Sequence, residues 1–362
     1  VNKRIPTFLV HILKNGRVGN KMGIETTKTN ACLLEYRLTM GMTVMEGQGF
    51  YYPVDTTIAA DGRMYVISRS RDEVARGVRV TMCNVDGEYF GNFGGFGEED
   101  GQFVWPCCSA IDSLGRFYVT DEKLHRILVF DRSGKFLDRW GEHGSSNGEL
   151  DTPSGIAFDS HDNLYVADTY NNRIQKFTNN GRFLMSFSGH GEEVISLPWG
   201  LATDRQDNLY VADWGNDCIR KFSSDGIELA CFGTSGKNDG EFCRPSSVSV
   251  DSDGDIYVAD WGNERVQVLN SEGEFVEKLR GQATISSWAQ NFLNINVEEA
   301  SARDKADLNL QIKYVDDTPH EESSHIERYF WSPTSVTLDR NGLLYVTEAN
   351  RHRIQVYARR DP

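Results

Sequence analysis

The stretch NLYVADWGNDCIRKF, residues 208–222, decides the fold because variants of it recur along the chain. NLYVADTYNNRIQKF occupies 163–177, and LLYVTEANRHRIQVY occupies 343–357. Each recurrence belongs to a unit in which a tyrosine follows a proline by twelve residues. The pairs are Pro53 and Tyr65, Pro106 and Tyr118, Pro153 and Tyr165, Pro198 and Tyr210, Pro245 and Tyr257, and Pro333 and Tyr345. Such self-similarity predicts a repeat architecture whose units pack on one another.

Each unit reads as four short strands. In the third unit GIAFD, LYVAD, RIQKF and RFLMSF are separated by SHDN, TYNN and TNNG, which are turn sequences. The second strand is apolar at consecutive positions, as in Leu209, Tyr210 and Val211, which indicates burial on both faces. The first turn opens with an aspartate whose carboxylate can bond the backbone two residues on: Asp112, Asp159, Asp204, Asp251 and Asp339. We therefore predict an all-β, six-bladed β-propeller with four antiparallel strands per blade.

The last unit lacks its fourth strand, because the chain ends soon after RIQVYAR at 353–359. The segment before Pro53 resembles the end of the other units, so residues 33–41 are predicted to supply that strand and close the ring. The domain prediction is an N-terminal extension, 1–32, followed by a single propeller, 33–362, with an insertion at 281–332.

The insertion is predicted to emerge on the top face, meaning the face that carries the prolines and the loops between second and third strands. Two interpretations of it stay open. Alternation predicts a hairpin from Leu293, Ile295 and Val297 with Leu308, Leu310, Ile312 and Tyr314, whereas Trp288 and Phe292 fit one helical turn. Long insertions at the mouth of a scaffold are often lids or binding loops, and a solvated disordered loop is the alternative.

Phrases such as YVADTYNNRIQKF and YVTEANRHRIQVY resemble NHL repeats, over roughly residues 33–280 and 333–359. The resemblance implies a six-bladed propeller. Among enzymes with this repeat, peptidyl-α-hydroxyglycine amidating lyase reads Pro-His at alternate blades, where three histidines hold zinc. Here His125 and His352 precede the Arg-Ile of their units and are interpreted as polar strand-end residues. No histidine follows any of the six prolines, which are followed by Val54, Cys107, Ser154, Trp199, Ser246 and Thr334.

The composition and charge of the chain limit the partners and the compartment that we expect for it. The formal charge of −15 argues against nucleic acid, whose phosphates an acidic surface repels. No apolar run approaches the length of a membrane helix, so no membrane span is expected. An odd total of seven cysteines without metal-type spacing fits a reducing, cytoplasmic setting better than secretion. The chain does not begin with Met, so N-terminal processing stays open, and Cys218 with Cys231 is the one disulfide pair considered.

Metal binding has little support in the motifs. Cys107 and Cys108 are adjacent, and neighbours in a regular strand point to opposite faces, so they are expected to be buried thiols rather than joint ligands of one ion. The run DSDGD at 251–255 spaces carboxylates like a calcium loop but lacks the distal glutamate, and a turn explains it. No cofactor is predicted, and neither calcium nor zinc has a supporting motif.

The residues that vary around the channel mouth are the candidate site, because first strands line a propeller channel. The carboxylate that ends YVAD recurs in most units. We interpret it as capping its loop or pairing with the arginine that follows, as Asp168 with Arg173. We predict a binding module that recognises a protein or small ligand at the top face. The alternative is an enzyme, a lyase or lactone hydrolase, with the insertion as a lid. Its catalytic residues would be drawn from Asp55, Cys107, Ser154, Ser246, Arg69 and Arg71. The ligand-binding candidates are Asp55, Cys107, Ser154, Tyr170, Trp199, Trp214, Ser246, Trp261 and Thr334.

Overall fold

Six four-stranded antiparallel sheets form a closed ring in the computed structural model, which describes residues 32–70, 75–189, 194–310 and 318–360. The first strand of each sheet contacts the first strand of the sheets on either side, and that of the last sheet contacts that of the first. The predicted six-bladed propeller is thus confirmed. The predicted extension, 1–32, lies outside the described residues except for Cys32.

The strands of each blade follow in chain order from the channel to the rim. Blade 1 has Pro53–Ile58, Met64–Ser68, Arg79–Cys83 and Tyr89–Phe93; blade 2 has Pro106–Ile111, Phe117–Asp121, Arg126–Phe130 and Phe136–Trp140. Blade 3 has Pro153–Phe158, Asn163–Asp168, Arg173–Thr178 and Phe183–Phe187; blade 4 has Pro198–Thr203, Leu209–Asp213, Cys218–Phe222 and Glu228–Phe232. Blade 5 has Pro245–Val250, Ile256–Asp260, Arg265–Leu269 and Phe275–Leu279; blade 6 has Pro333–Leu338, Leu343–Glu348, Arg353–Arg359 and, at its rim, Leu34–Met40.

A few shorter elements complete the described chain. The strands Thr234–Ser235 and Glu241–Phe242 pair in parallel within the loop before blade 5. Single 3-10 turns occupy Thr169–Asn171 and Trp261–Asn263. The described part of the insertion holds three α-helices: α1, Ser287–Ile295; α2, Val297–Lys305; and α3, Pro319–His325.

The ring closes as the sequence predicts. Leu34–Met40 pairs antiparallel with Arg353–Arg359, so the N-terminal segment supplies the fourth strand of blade 6. Arg359 then reaches blade 5, where its guanidinium lies 2.6 Å from an oxygen of Asp251 and 2.9 Å from one of Asp255. This arginine pairs with the carboxylates of DSDGD, which form a turn in which Asp251 accepts the N–H of Asp253.

The core lies between blades rather than within them. The tyrosine twelve residues after each proline is almost completely buried: Tyr65, Tyr118, Tyr165, Tyr210, Tyr257 and Tyr345. A second repeated position, three residues before each proline, is also fully buried: Phe50, Phe103, Leu150, Ile195, Phe242 and Phe330. Since each sheet contributes apolar side chains to two interfaces, burial of both faces requires the whole ring.

The repeated carboxylates hold the loops, as the sequence indicates. Asp168 Oδ2 lies 2.7 Å from Nε of Arg173, and its Oδ1 accepts the N–H of Asp151, two residues before the proline that opens the same blade. Asp260 repeats the arrangement with Arg265, and Glu348 with Arg353, both at 2.7 Å. In five blades the aspartate six residues after the proline bonds the N–H groups two and four residues on, as Asp159 does with His161 and Asn163.

A further repeated bond connects successive blades. The residue before Arg-Ile, or its equivalent, has a positive φ and accepts the N–H that directly precedes the next blade's proline. The five acceptor and donor pairs are His125 and Thr152, Asn172 and Leu197, Asp217 and Arg244, Glu264 and Ser332, and His352 and Tyr52. His125 and His352 are therefore structural acceptors, as interpreted from the sequence.

The insertion begins as a helix and not as a hairpin. Ser286 caps α1 by accepting the N–H of Ala289, and the Trp288 ring packs against Phe50 at 5.4 Å. Trp288 also donates to the carbonyl of Gly87, in the turn between the third and fourth strands of blade 1. The hairpin interpretation is wrong for Leu293, Ile295 and Val297, which lie in helices; Ile312 and Tyr314 fall outside the described residues. That the insertion as a whole occupies the top face stays a prediction.

Candidate functional site

A cavity of about 750 Å³ lies in the channel, walled by the first strands of all six blades. This volume is within the range of small-molecule sites. The top-face residues Arg69, Trp105, Trp214 and Trp261 border the end of the cavity that we call its mouth.

A bulge in every first strand shapes the wall. The register between first and second strands shifts just after each proline. Because a bulge sets two residues against one partner, both side chains after the proline can face the channel. In five blades both residues line the cavity: Val54 and Asp55, Cys107 and Cys108, Trp199 and Gly200, Ser246 and Ser247, and Thr334 and Ser335.

One side of the cavity, formed by blades 4 and 5, is aromatic. The rings of Trp199 and Trp214 lie 6.3 Å apart, and the guanidinium of Arg244 lies 4.9 Å from the centre of the Trp214 ring. Trp214 and Trp261 hold equivalent positions, each directly after the carboxylate that ends YVAD. These rings offer flat apolar surface to a ligand.

The opposite side, formed by blades 1 and 2, carries charge. Arg69 holds Oε2 of Glu122 at 2.7 Å and lies 5.1 Å from the centre of the Trp105 ring. Glu122 is only 4% exposed, and no nitrogen or oxygen of the described residues bonds to its Oε1. Burial raises the pKa of Glu122, while Arg69 and the Cys107 thiol oppose that shift.

Two thiols lie beside this ion pair. The Sγ atoms of Cys107 and Cys108 are 3.6 Å apart, and both residues line the cavity. The expectation that they point to opposite faces is wrong, because the bulge interrupts the alternation of a regular strand. The hydrogen bond with Cys108, together with burial, raises the pKa of Cys107, so this thiol keeps its proton at neutral pH.

Asp55 braces the wall across three blades. Its Oδ2 accepts the N–H and the hydroxyl of Ser109 in blade 2, both at 2.8 Å. Its Oδ1 accepts the hydroxyl of Ser335 in blade 6 at 2.6 Å. Burial raises the pKa of Asp55, although these donors act in the other direction.

The structure brings together seven of the nine candidates. Asp55, Cys107, Trp199, Trp214, Ser246, Trp261 and Thr334 line the cavity. Ser154 does not; it is fully buried and shares a hydrogen bond with Thr169 at 2.6 Å. Tyr170 is 62% exposed and lies outside the lining. A binding role for the nine stays a prediction, and Arg71 falls outside the described residues.

Two residues of this region were not identified from the sequence. Ser109 lines the cavity, and Glu122 lies behind Cys107. Glu122 could have been found from its position in the repeat, directly after the carboxylate that ends YVAD. That position varies between blades, and four of its six residues line the cavity: it holds Arg69, Glu122, Thr169, Trp214, Trp261 and Ala349.

A separate group of metal-ligand type lies between blades 2 and 3, outside the cavity lining. One ligand atom each from His125, His143 and Asp151 fall within 4.8 Å of one another. Burial and the neighbouring His143 lower the pKa of His125, so its ring is neutral. However, Nδ1 of His125 accepts the N–H of Thr152 at 3.0 Å, which assigns this nitrogen to the bond between blades.

Comparison with known proteins agrees with the architecture. Four stretches match the NHL repeat: 150–177, 196–222, 242–269 and 330–357. No curated protein matches this chain. No described helix is long and apolar enough to cross a membrane.

Solved structures share the fold. Virginiamycin B lyase from Staphylococcus aureus superimposes with a TM-score of 0.55 at 14% identity, covering 90% of this chain and 99% of the lyase. A catalytically inactive histidine-to-alanine form of that lyase with quinupristin gives 0.55 at 12% identity over the same shares, 90% and 99%. A protein of unknown function from Bacteroides thetaiotaomicron gives 0.57 at 20% identity, covering 85% of this chain and 70% of that protein. At such identities the likeness establishes the fold alone.

Proposed function

Because the chain is an NHL-repeat six-bladed β-propeller with a tryptophan-lined cavity, we propose that it is a binding protein for a small molecule that carries a flat apolar ring and a hydrogen-bonding group. The observation that carries the proposal is the placement of four tryptophans, Trp105, Trp199, Trp214 and Trp261, around one cavity of about 750 Å³.

The two sides of the cavity offer a ligand different kinds of contact. Trp199 and Trp214 supply a hydrophobic wall against which a ring stacks or packs edge to face. Opposite them, Arg69 and the hydroxyls of the inner strands supply polar contacts that fix orientation. A ligand with an apolar end and a polar end satisfies both sides at once.

The rigidity of the wall supports binding in a preformed site. Asp55 ties blade 1 to blades 2 and 6, and Ser246 bonds the carbonyl of Thr334 across blades 5 and 6. A cavity fixed by such bonds loses little conformational entropy when a ligand enters, which favours affinity.

The mouth also has a neighbour in the insertion. Helix α3 packs beside the 3-10 turn Trp261–Asn263, and His320 at its start lies 2.5 Å from Oε1 of Glu264. Trp331 donates to the other nitrogen of His320 at 3.2 Å. This helix thus contacts the turn that begins with Trp261, although no residue of α3 itself lines the cavity.

The test is a thermal-shift screen of aromatic heterocycles bearing hydroxyl or amide groups, with affinities of the hits measured by calorimetry. Trp199→Ala is expected to weaken binding at least about tenfold, equivalent to about 1.4 kcal/mol. Tyr170→Ala, an exposed aromatic on the same face but outside the cavity, is the matched control and should change affinity less than about twofold.

Two outcomes would contradict the proposal. One is a hit whose affinity depends on Tyr170 and not on Trp199, which would indicate a rim surface suited to a protein partner. The other is turnover of the hit by the wild-type protein, which would favour the enzyme alternative. The observation that supports this alternative is the buried Glu122 beside Cys107.

A further inference from the structure

The polar side of the cavity contains two adjacent thiols whose pairing the proposed function does not explain. We infer that Cys107 and Cys108 form a site for a soft divalent metal ion, Zn²⁺ or Cd²⁺, on the cavity wall. The inference goes beyond the proposed function and does not depend on the identity of the organic ligand.

The distance between the thiols fits two ligands of one ion. With a Zn–S bond of about 2.3 Å and tetrahedral angles, two coordinated sulfurs lie about 3.8 Å apart. The Sγ atoms of Cys107 and Cys108 are 3.6 Å apart, so an ion can bridge them without movement of the strand.

A disulfide fits the same pair poorly. Cα atoms of neighbouring residues are about 3.8 Å apart, whereas the Cα atoms of disulfide-linked residues usually lie at least about 4.4 Å apart. Bonding between adjacent cysteines therefore requires backbone distortion, and ion binding does not.

The surroundings suit a cation that replaces two protons. Binding follows M²⁺ + 2 RSH → M(SR)₂ + 2 H⁺, in which both S–H bonds break and both protons leave. Both protons are released to solvent, and Glu122 faces Cys107 with an oxygen that no nitrogen or oxygen of the described residues engages. Arg69 holds the other oxygen of Glu122 at 2.7 Å.

The site keeps coordination positions open. Both cysteines line the cavity, so two thiolates occupy one side of the ion and leave the other side toward water or a ligand in the cavity. An open position of this kind is what separates ligand-binding and catalytic zinc sites from closed structural ones.

The test is titration of the reduced full-length protein with Cd²⁺, following the thiolate-to-metal charge-transfer absorption and the release of protons. We expect one ion per chain and about two protons released. Cys107→Ser with Cys108→Ser is expected to lower affinity more than about 100-fold, since loss of outer partners alone costs up to that much. The control is Cys218→Ser with Cys231→Ser, a second neighbouring thiol pair, in the outer strands of blade 4.

A crystal of the wild-type protein soaked in Cd²⁺ keeps the inference testable even if the double variant does not fold. The expected anomalous peak lies between the Sγ atoms of Cys107 and Cys108. A peak only at Cys218 and Cys231, or only at His125, His143 and Asp151, would overturn the inference, as would affinity lost in the control and retained in the test variant. Trp199→Ala should keep Cd²⁺ binding while losing the organic ligand, so failure of either proposal is separately visible.

Discussion

Nδ1 of His352 accepts the backbone N–H of Tyr52 over 2.8 Å, which joins the last blade to the first across 300 residues of sequence. The same bond connects blade 3 to blade 4, where Asn172 accepts the N–H of Leu197 at 2.8 Å. Both acceptors have left-handed backbone, with φ of 54° and 50°. Asn is among the residues that adopt this conformation most readily. It therefore suits this position both as an acceptor of the N–H and in its backbone conformation.

The first prediction is that His352→Ala destabilises the propeller and His352→Asn does not. The alanine leaves the N–H of Tyr52 without this acceptor at the seam between blades, which costs about 1–2 kcal/mol of unfolding free energy. The asparagine reproduces the arrangement of blade 3. Urea unfolding measures both, with His161→Ala, an exposed turn histidine, as the control. Equal stability of all three variants would show that the bond does not hold the ring.

The second prediction concerns the repeated carboxylates. Asp260 is completely buried against Arg265, so Asp260→Asn leaves a buried guanidinium without its counter-charge and should cost about 3–5 kcal/mol. Asp239→Asn breaks an exposed pair with Lys278, at 45% and 48% side-chain exposure, and should cost less than about 1 kcal/mol. Chemical denaturation compares the two. A larger loss for Asp239→Asn would contradict a structural role for Asp260.

The third prediction tests how closely the inner strands approach. A Cβ on Gly155 would lie 2.0 Å from the carbonyl oxygen of Trp199, a backbone atom of the next blade. Gly155→Ala should therefore destabilise the protein by about 1–3 kcal/mol, as overpacking does. In Gly144→Ala the three atoms nearest to the new Cβ all belong to the side chain of Glu149, whose carboxylate can move, so that control should be milder. Equal thermal stability of the two variants would contradict the predicted clash between the new Cβ at position 155 and the carbonyl oxygen of Trp199.

The fourth prediction is a pH dependence that comes from Asp55. Its folded-state pKa is raised above the ordinary value of 3.8 by burial. The stabilising contribution of the protonated group is therefore complete below that value and is lost as pH rises through the folded pKa. The unfolding free energy of wild type minus that of Asp55→Asn should fall as the pH rises from the ordinary value of 3.8 through the folded-state pKa. A difference that stays constant or grows with pH would contradict the burial effect.

Sequence periodicity was sufficient to predict the blades, because proline, tyrosine and turn aspartate recur at fixed offsets and each has a local physical role. The closing strand Leu34–Met40 followed from the missing fourth strand at the C-terminus. The thiol pair was missed because alternation describes a regular strand, and the bulge after Pro106 is a property of pairing with Phe117–Asp121 that one strand does not reveal.

The wall of the cavity was only partly predictable for a related reason. Positions after each proline follow from topology, so Trp199 and Ser246 were found. Glu122 pairs with Arg69 and Ser335 bonds to Asp55, and in each case the partner lies in another blade. Such contacts depend on which blades are adjacent and on the position of each residue along its strand. The helix at Trp288 was one of two open interpretations, since its pattern spans barely one turn.

Fluorine NMR of protein labelled with fluorotryptophan tests the central claim most directly, because four of the seven tryptophans line the cavity and three do not. Single Trp→Phe variants assign the signals. Addition of a ligand from the screen is predicted to shift the resonances of Trp105, Trp199, Trp214 and Trp261 and to leave those of Trp140, Trp288 and Trp331 in place. Shifts confined to Trp140, Trp288 or Trp331, with the cavity signals unchanged, would contradict it.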